Sequence, residues 1–397
     1  MEKRSFRESD YGHSGQPELL KLNFYEGGVV SKSITVDGYI IGKEAPCFII
    51  AELGTGHAFD LNQAYKLIEA AGEAGADCIK VQIVFADEIV HPLSGQVMMP
   101  GGAVPLYDRF KEYEKDGEYY AKIKDYAEKS GLLFLCSVFG LKSLEIAKKL
   151  HISLVKIASP ELNHYPLLKE IAAWGKPALL STGVSLLVDI ERALEIMKQD
   201  VILLHCITSY PAPENEYNLK VVPSLSAVFG VPVGVSDHSL HPVLIPALAA
   251  ISGACVIEKH FTILKTGPGL DDAIALNKEE FAQMVKAVKK AESLSPEGAL
   301  AWLNEEYGEE RVNAILGNGI KSLAPSEINN YYSTRRSILA LKTINKGEIF
   351  SEGNIALLRS EKNLKPGLGP EFLPVIYGKK ARQRIEAGKG LSWDDII

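Results

Sequence analysis

One pattern returns eight times between Cys47 and Ser293: a short apolar run with β-branched residues, a polar junction, then an amphipathic stretch. The runs are CFIIAEL (47–53), CIKVQIV (78–84), LLFLCSV (132–138), LVKIAS (154–159), PALLST (177–182), VILLHCI (201–207), VPVGVSD (231–237) and CVIEKHF (255–261). Helical patterns follow them near 61–71, 117–129, 142–149, 164–173, 187–198, 218–228, 240–251 and 278–293, with Asp60 placed to cap the first. Eight strand–helix units predict a closed (β/α)8 barrel; an open doubly wound sheet is the alternative.

The flanks have a different texture. Residues 1–32 read as an N-terminal arm, polar at its start and without an apolar signal core. SITVDGYIIG (33–42) alternates around Asp37-Gly38, which predicts a hairpin at the front of a barrel domain spanning 33–293. Residues 85–116 separate the second strand from its helix and predict a loop over the strand C-termini, where a lid would sit. Residues 294–330 read as a linker with one polar helix near 297–316, and 331–397 as a small, separate domain of short strands and turns. That last segment holds 12 basic and 7 acidic residues, a net +5, which leaves −12 on the rest and favours docking of one on the other.

Composition excludes several classes. A chain of 397 residues with 46% hydrophobic and 23% charged residues is globular for most of its length. A net charge of −7 argues against nucleic acid as the main partner. The longest weakly polar run, 243–257, is too short for a bilayer and contains Pro246 and Gly253, so a soluble cytoplasmic protein is expected. Five cysteines, an odd number without a CxxC, predict buried reduced thiols; Cys206, beside His205, is the one to watch. Gly54-Thr-Gly56-His-Ala-Phe59 imitates a dinucleotide fingerprint, but Phe59 stands where the third glycine belongs.

In a barrel the catalytic groups come from the C-terminal ends of the strands, and the polar residues gather there: Glu52; Lys80 and Gln82; Ser137; Lys156, Ser159 and Glu161; Ser181 and Thr182; His205, Thr208 and Ser209; Ser236, Asp237 and His238; Glu258, Lys259 and His260. Any one of them alone would be an ordinary solvated or structural residue. Together they are harder to read that way, because lysines inside barrel strands need an anionic ligand or a carboxylate such as Glu52 or Glu161. His238 and His260, on adjacent strands, can converge on a divalent ion such as Mn²⁺, Fe²⁺, Co²⁺ or Zn²⁺ and leave coordination positions open. Lysines, hydroxyls and a metal facing one pocket suit a phosphorylated or carboxylated substrate and an electrophilic carbonyl.

These stretches resemble the sialic acid synthases (N-acetylneuraminate synthase and its bacterial relatives). The resemblance runs from about residue 33 to 397 through FIIAELG (48–54), EAGADCIKVQ (73–82), LVKIASPEL (154–162), LLSTG (179–183), LLHCITSYPAPENEYNL (203–219), VGVSDHS (233–239) and EKHFT (258–262), then RRSILALKTINKGE (335–348), KPGLGP (365–370) and YGKKARQRI (377–385). It implies a TIM barrel followed by a small β-rich antifreeze-like (SAF, β-clip) domain. It also implies a C–C bond-forming transferase that condenses phosphoenolpyruvate with the open-chain aldehyde of an N-acylated amino sugar, giving a nine-carbon 2-keto acid and phosphate. By resemblance, Lys80, Ser137, Lys156, Ser159, Ser181 and Ser236 hold phosphoenolpyruvate; Glu52, Glu161 and Lys80 are catalytic; Gln82, Tyr210, Asp271 and Arg336 face the sugar; and His238 and His260 hold a divalent metal, manganese first, with magnesium or cobalt as alternatives. Arg336 would act from a partner subunit in a domain-swapped homodimer.

The sequence departs from the family pattern at the mouth loops. Asn-His-Asn-Gly becomes Gly56-His57-Ala58-Phe59, and Gly-Pro-Asp-His becomes Gly269-Leu270-Asp271-Asp272. The donor set is better kept than the sugar set, which implies a shifted acceptor, such as a di-N-acylated legionaminate- or pseudaminate-type sugar or a spore-coat precursor. Two other readings stand beside this one: a non-catalytic sugar-binding paralogue, and a metal-independent Schiff-base aldolase.

Overall fold

A computed structural model describes residues 33–397 apart from 58, 100, 101 and 268; the expected arm over 1–32 lies outside the described residues. Eight parallel strands close into a barrel: β1 (Phe48–Glu52), β2 (Cys78–Gln82), β3 (Leu133–Val138), β4 (Val155–Ile157), β5 (Ala178–Ser181), β6 (Val201–Cys206), β7 (Val233–Asp237) and β8 (Val256–His260), with β8 pairing back to β1. All eight lie inside the predicted runs, and the open-sheet alternative is excluded by closure.

Side chains alternate along each strand. The outward set packs under the helices: Ile49 and Ala51 of β1 join Ala64, Leu67, Ile68 and Ala71 of helix α1 (Leu61–Glu73) in the larger core. That helix begins as expected, with the Asp60 side chain accepting from Asn62 N at 2.8 Å. The inward set forms a second core, with Phe48, Ile50, Cys78, Leu133, Leu135, Leu154, Leu179, Ile202, Leu204 and Val256 filling the lower interior. The hairpin Ile34–Val36/Tyr39–Ile41 seals this end with Ile34, Val36 and Ile41. Its two-residue turn puts Asp37 at φ 45° and Gly38 at φ 88°, a conformation that aspartate and glycine tolerate.

Two expectations about connections are corrected. Residues 85–116 are not a bare loop: they fold as a helix (Ala86–Ile89), a hairpin (Gln96–Met99 with Gly102–Pro105) and a second helix (Leu106–Glu112). They have an apolar cluster of their own, in which Val84, Ile89, Val90, Tyr113 and Phe139 are buried. Residues 294–330 are not a linker with a single helix. Two helices (Pro296–Tyr307 and Glu309–Leu316) meet at Gly308, whose φ of 88° a helix cannot contain. Ala299, Leu303, Val312 and Ile315 pack them into the barrel's outer core. Among the described residues no helix is long and apolar enough to cross a membrane.

The C-terminal segment pairs β9 (Arg336–Ala340) antiparallel to β10 (Ile355–Arg359) around its own core of Ile338, Ile344, Phe350, Ile376 and Leu391. It docks on its own barrel through buried ion pairs. Glu161, in the 3₁₀ turn after β4, is fully buried and accepts from Arg336 Nε at 2.5 Å and Arg359 Nη2 at 2.5 Å. Asn163 completes the seam, donating to Arg336 O at 2.9 Å and accepting from Arg336 N at 3.1 Å. The charge asymmetry read from the sequence therefore acts within one chain.

Candidate active site

Strand register brings the polar residues to one height. Glu52 pairs level with Lys80 on one side and His260 on the other; Gln82 is level with Ser137, Ser137 with Lys156, and Ser236 with Glu258. Counting back by two from Glu52, Lys80, Ser137, Lys156 and Glu258 reaches Ile50, Cys78, Leu135, Leu154 and Val256 of the apolar lower layer, so the barrel interior is apolar below and polar at the mouth.

Within this ring Lys80 contacts Glu52 directly, lies 3.4 Å from Glu258 Oε1, and donates to Ser137 Oγ at 3.3 Å. Lys156 donates to Ser181 Oγ at 2.7 Å and lies 3.7 Å from the same Glu258 oxygen. Ser236 Oγ donates to that oxygen at 3.0 Å, and Gln82 Nε2 donates to Glu52 Oε1 at 2.9 Å. Burial pulls the Lys80 ammonium down, but the Glu258 and Glu52 charges carry it above its ordinary value. Lys156 goes the other way: burial outweighs its more distant Glu258 partner and lowers it. Burial pushes Glu258 up, yet the Lys156 and Lys80 charges win and hold its carboxyl below the usual range.

Beside the ring stand His238 and His260, ring centroids 5.6 Å apart. His238 Nδ1 lies 2.8 Å from Ile207 O, a carbonyl that only accepts, so Nδ1 carries the proton and Nε2 is left as a lone pair near Ser236. Asp271 Oδ2 lies 3.8 Å from His260 Nδ1, and burial together with the Glu52 charge pushes this carboxyl up to about 6. A Cβ at Gly54 would lie 3.4 Å from Asp271 Oδ2, 3.6 Å from Glu52 Oε1 and 3.8 Å from His260 Nδ1, so these three groups converge on one point. Tyr210 stacks over His238 at 4.2 Å, and the Cys206 thiol lies 3.8 Å from His238 Nδ1. Behind His238, Tyr217 Oη accepts from His238 N at 2.8 Å and donates to Asp237 Oδ1 at 2.6 Å, while Lys259 Nζ donates to Asp237 Oδ2 at 2.6 Å. This buried network fixes the histidine from outside the barrel.

The two imidazoles fit a divalent cation. Among the described residues no group of three or more His, Cys, Asp or Glu is placed to hold a metal ion, so any ion here would rest on these two imidazoles. Two lysines already balance two glutamates in the ring, and Glu258 Oε2 is buried without a hydrogen-bond partner.

Most of the predicted residues meet in this mouth: Glu52, Lys80, Gln82, Ser137, Lys156, Ser181, Ser236, His238 and His260 in the ring or beside it, and Tyr210 and Asp271 at its rim. Ser159 joins from the side, accepting from Gly183 N at 3.0 Å. Two residues do not meet there. Glu161 is not placed as a catalytic acid, because its carboxylate is held by Arg336 and Arg359. Arg336 is taken up by the docking seam of its own chain. Besides Glu161 it donates to the carbonyls of Phe139 at 2.9 Å, Leu357 at 3.1 Å and Glu88. Glu258 went unassigned from the sequence, although its place two residues before His260 on one strand face is the signal that could have found it.

Two buried histidines set a pH limit on the fold. Burial, reinforced by the Lys115 charge, pushes His57 down to about 4; burial, with Lys321, takes His205 to about 3. Both stay neutral in the folded chain and bind a proton on unfolding once pH drops below their ordinary value of 6.5. Their contribution to stability is complete above that value and declines as pH falls toward 4 and then 3. In urea titrations the stability lost between pH 7 and pH 5 should shrink by about 2 kcal/mol in His57→Asn. An unchanged loss would remove His57 from this account.

Comparison with known proteins agrees with this fold. The NeuB family model matches residues 67–299 and the SAF domain model residues 335–397. The chain is 37% identical to the spore coat polysaccharide biosynthesis protein SpsE of Bacillus subtilis, over 90% of this chain and 95% of that one. The crystal structure of that protein superimposes with a TM-score of 0.77, covering 92% of this chain and 99% of the other. Two Campylobacter jejuni enzymes are also similar: a pseudaminic acid synthase, 36% identical over 88% of this chain and 96% of its own, and an N,N'-diacetyllegionaminic acid synthase, 34% identical over 84% and 97%. With a closed barrel carrying the matched segment and a SAF domain docked at its mouth, the chain belongs to the NeuB family of sialic acid synthases.

Proposed function

We propose that the chain condenses phosphoenolpyruvate with the aldehyde of an N-acylated amino sugar, forming a nine-carbon 2-keto sugar acid and inorganic phosphate. The observation that carries this reading is the pair of inward lysines, Lys80 and Lys156, flanking one carboxylate and bonded to the hydroxyls of Ser137 and Ser181 at the barrel mouth. Two cations and a row of hydroxyls are what a phosphate and a carboxylate on one small molecule require.

In this reading Lys80, Lys156 and the hydroxyls of Ser137, Ser159, Ser181 and Ser236 bind the donor and hold its C3 toward the acceptor. C3 attacks the aldehyde carbon, water adds at C2, and phosphate leaves with cleavage of its C–O bond. Glu52, oriented by Gln82 and Lys80, moves a proton at the reacting carbons. Tyr210, Gln82 and Asp271 face the acceptor. A divalent ion on His238 and His260, manganese first and magnesium or cobalt after it, supplies Lewis-acid activation of the acceptor carbonyl when bound. The altered loops around His57 and Asp271, and the relatives that act as legionaminic and pseudaminic acid synthases, support a di-N-acylated acceptor. A domain-swapped homodimer, in which Arg336 would serve the partner's acceptor end, remains part of the proposal.

The test is phosphate release from phosphoenolpyruvate with Mn²⁺ and a panel of N-acetyl- and di-N-acetyl-amino sugars, with and without EDTA. Acceptor-dependent release that EDTA abolishes is expected. Failure of every acceptor, with phosphoenolpyruvate leaving the melting temperature unmoved, would favour a binding protein. The lowered Lys156 amine is the one feature that suits a Schiff-base aldolase. Borohydride is expected to trap no adduct on it.

A further inference from the structure

The segment between the barrel helices and β9 reaches back into the mouth. In its 3₁₀ turn (Pro325–Asn330) Glu327 is fully buried, and its carboxylate ties together two barrel connections. Oε1 accepts from Val184 N at 2.7 Å, just past β5, and from Thr208 N at 2.7 Å, just past β6; Oε2 accepts from Ala324 N at 3.1 Å. These bonds span 143 and 119 residues, so the linker is stapled to the ends of two catalytic strands.

What it staples is strained. Val184 has φ 42°, a left-handed conformation that a β-branched residue adopts only when its surroundings force it. One residue earlier, Gly183 N donates to Ser159 Oγ at 3.0 Å. A Cβ at Gly183 would fall 2.1 Å from Thr208 Oγ1, 2.9 Å from Ser159 Oγ and 3.1 Å from Glu327 Oε1. The β5 turn, Ser159, Thr208 and the linker carboxylate thus meet at one point, two residues beyond Ser181 and its bond to Lys156. Lys321 of the same linker is also buried there, its Nζ without a hydrogen-bond partner; among the charges that act on it, Glu327 is foremost.

We infer that Glu327 is a positioning residue for the phosphoenolpyruvate subsite: by holding Val184 in its left-handed turn it sets Gly183, Ser159 and Ser181, so that donor affinity depends on the linker being seated. The inference rests on the donor reading above. It makes the linker part of the active site and not only a tether for the SAF domain. Removing the carboxylate lets the Val184 turn relax to a right-handed conformation and moves the hydroxyls that face the donor. On the acceptor side His260 and Asp271 share none of these bonds, while Tyr210 lies two residues past Thr208.

The experiment measures donor binding calorimetrically, and KM for each substrate and kcat, in the full-length wild type, Glu327→Ala, Glu327→Gln and Glu327→Ala/Val184→Gly. In Glu327→Ala the donor Kd and KM should rise about tenfold or more, with the acceptor KM within about twofold. Glu327→Gln keeps an oxygen that can accept both N–H groups and should stay within about threefold of wild type. Glycine at 184 adopts the left-handed turn without support, so the double variant should recover most of the donor affinity even if the single alanine variant is poorly folded. Unchanged donor affinity in Glu327→Ala, or equal losses for both substrates that Val184→Gly does not relieve, would overturn the inference and leave the function standing. A wild type that does not bind phosphoenolpyruvate at all would overturn both.

Discussion

Lys80→Met should abolish turnover and lower the unfolding free energy by about 3–5 kcal/mol, because it leaves Glu52 and Glu258 buried without their shared cation. Methionine approximates the lysine stem, so the loss is electrostatic and not a cavity effect. The second carboxylate keeps Lys156 at 3.7 Å, so Glu52 is the one left without a cation. Adding Glu52→Gln to Lys80→Met should restore part of the stability and none of the activity. Stability would be read by urea unfolding at pH 7 and turnover by phosphate release. A stable Lys80→Met with near-normal turnover would remove the lysine ring from the mechanism; stability and activity recovering together in the double variant would mean that the loss of turnover was only a loss of folded protein.

Glu161→Leu should release the C-terminal domain. The substitution leaves Arg336, fully buried, and Arg359 facing each other with no counter-ion across the docking seam. Uncompensated burial of this kind costs about 3–5 kcal/mol. Release of the domain lets both guanidinium groups regain water, so the barrel should keep most of its own stability. The expected result is fast amide exchange at Ala86–Ile89 and at β9, with protection retained in the barrel strands. Glu161→Gln, which keeps two polar atoms for the arginines, should show a smaller version of the same pattern. Exchange that is unchanged in Glu161→Leu would mean that the seam is held by Asn163 and the strand contacts instead. Because the linker carries Glu327 into the mouth, release should also weaken donor binding, and the same samples can report on it.

The barrel was legible because its signal is local. Strand side chains alternate with period two, helix faces recur near 3.6, and each unit repeats both within about thirty residues. The same alternation aligns Glu52, Lys80, Gln82, Ser137 and His260 on inner strand faces, and closure of the barrel then brings them together at its mouth. The first helix cap was legible too: the Asp60 side chain bonds to backbone only two residues away.

What escaped the sequence is choice of partner. Glu161 has the composition and position of a catalytic acid, and Arg336 those of a sugar-binding cation. Their pairing closes across 175 residues, and nothing periodic marks it beforehand. Glu258, Lys259 and His260 are three consecutive polar residues. Only the closed barrel decides that the first meets two lysines, the second Asp237 and the third Asp271. Glu327 sits in a stretch that reads as linker, and its role appears only when the chain folds back over the strand ends. Secondary structure follows from torsions and burial within a few residues, so the sequence alone determined the barrel, its polar mouth and the histidine pair beside it. A buried charge must be balanced by whichever opposite charge or N–H group packing brings within about 3 Å. Tertiary structure alone therefore decided which carboxylates meet the lysines at the mouth, and which fasten the C-terminal domain and the linker to the barrel.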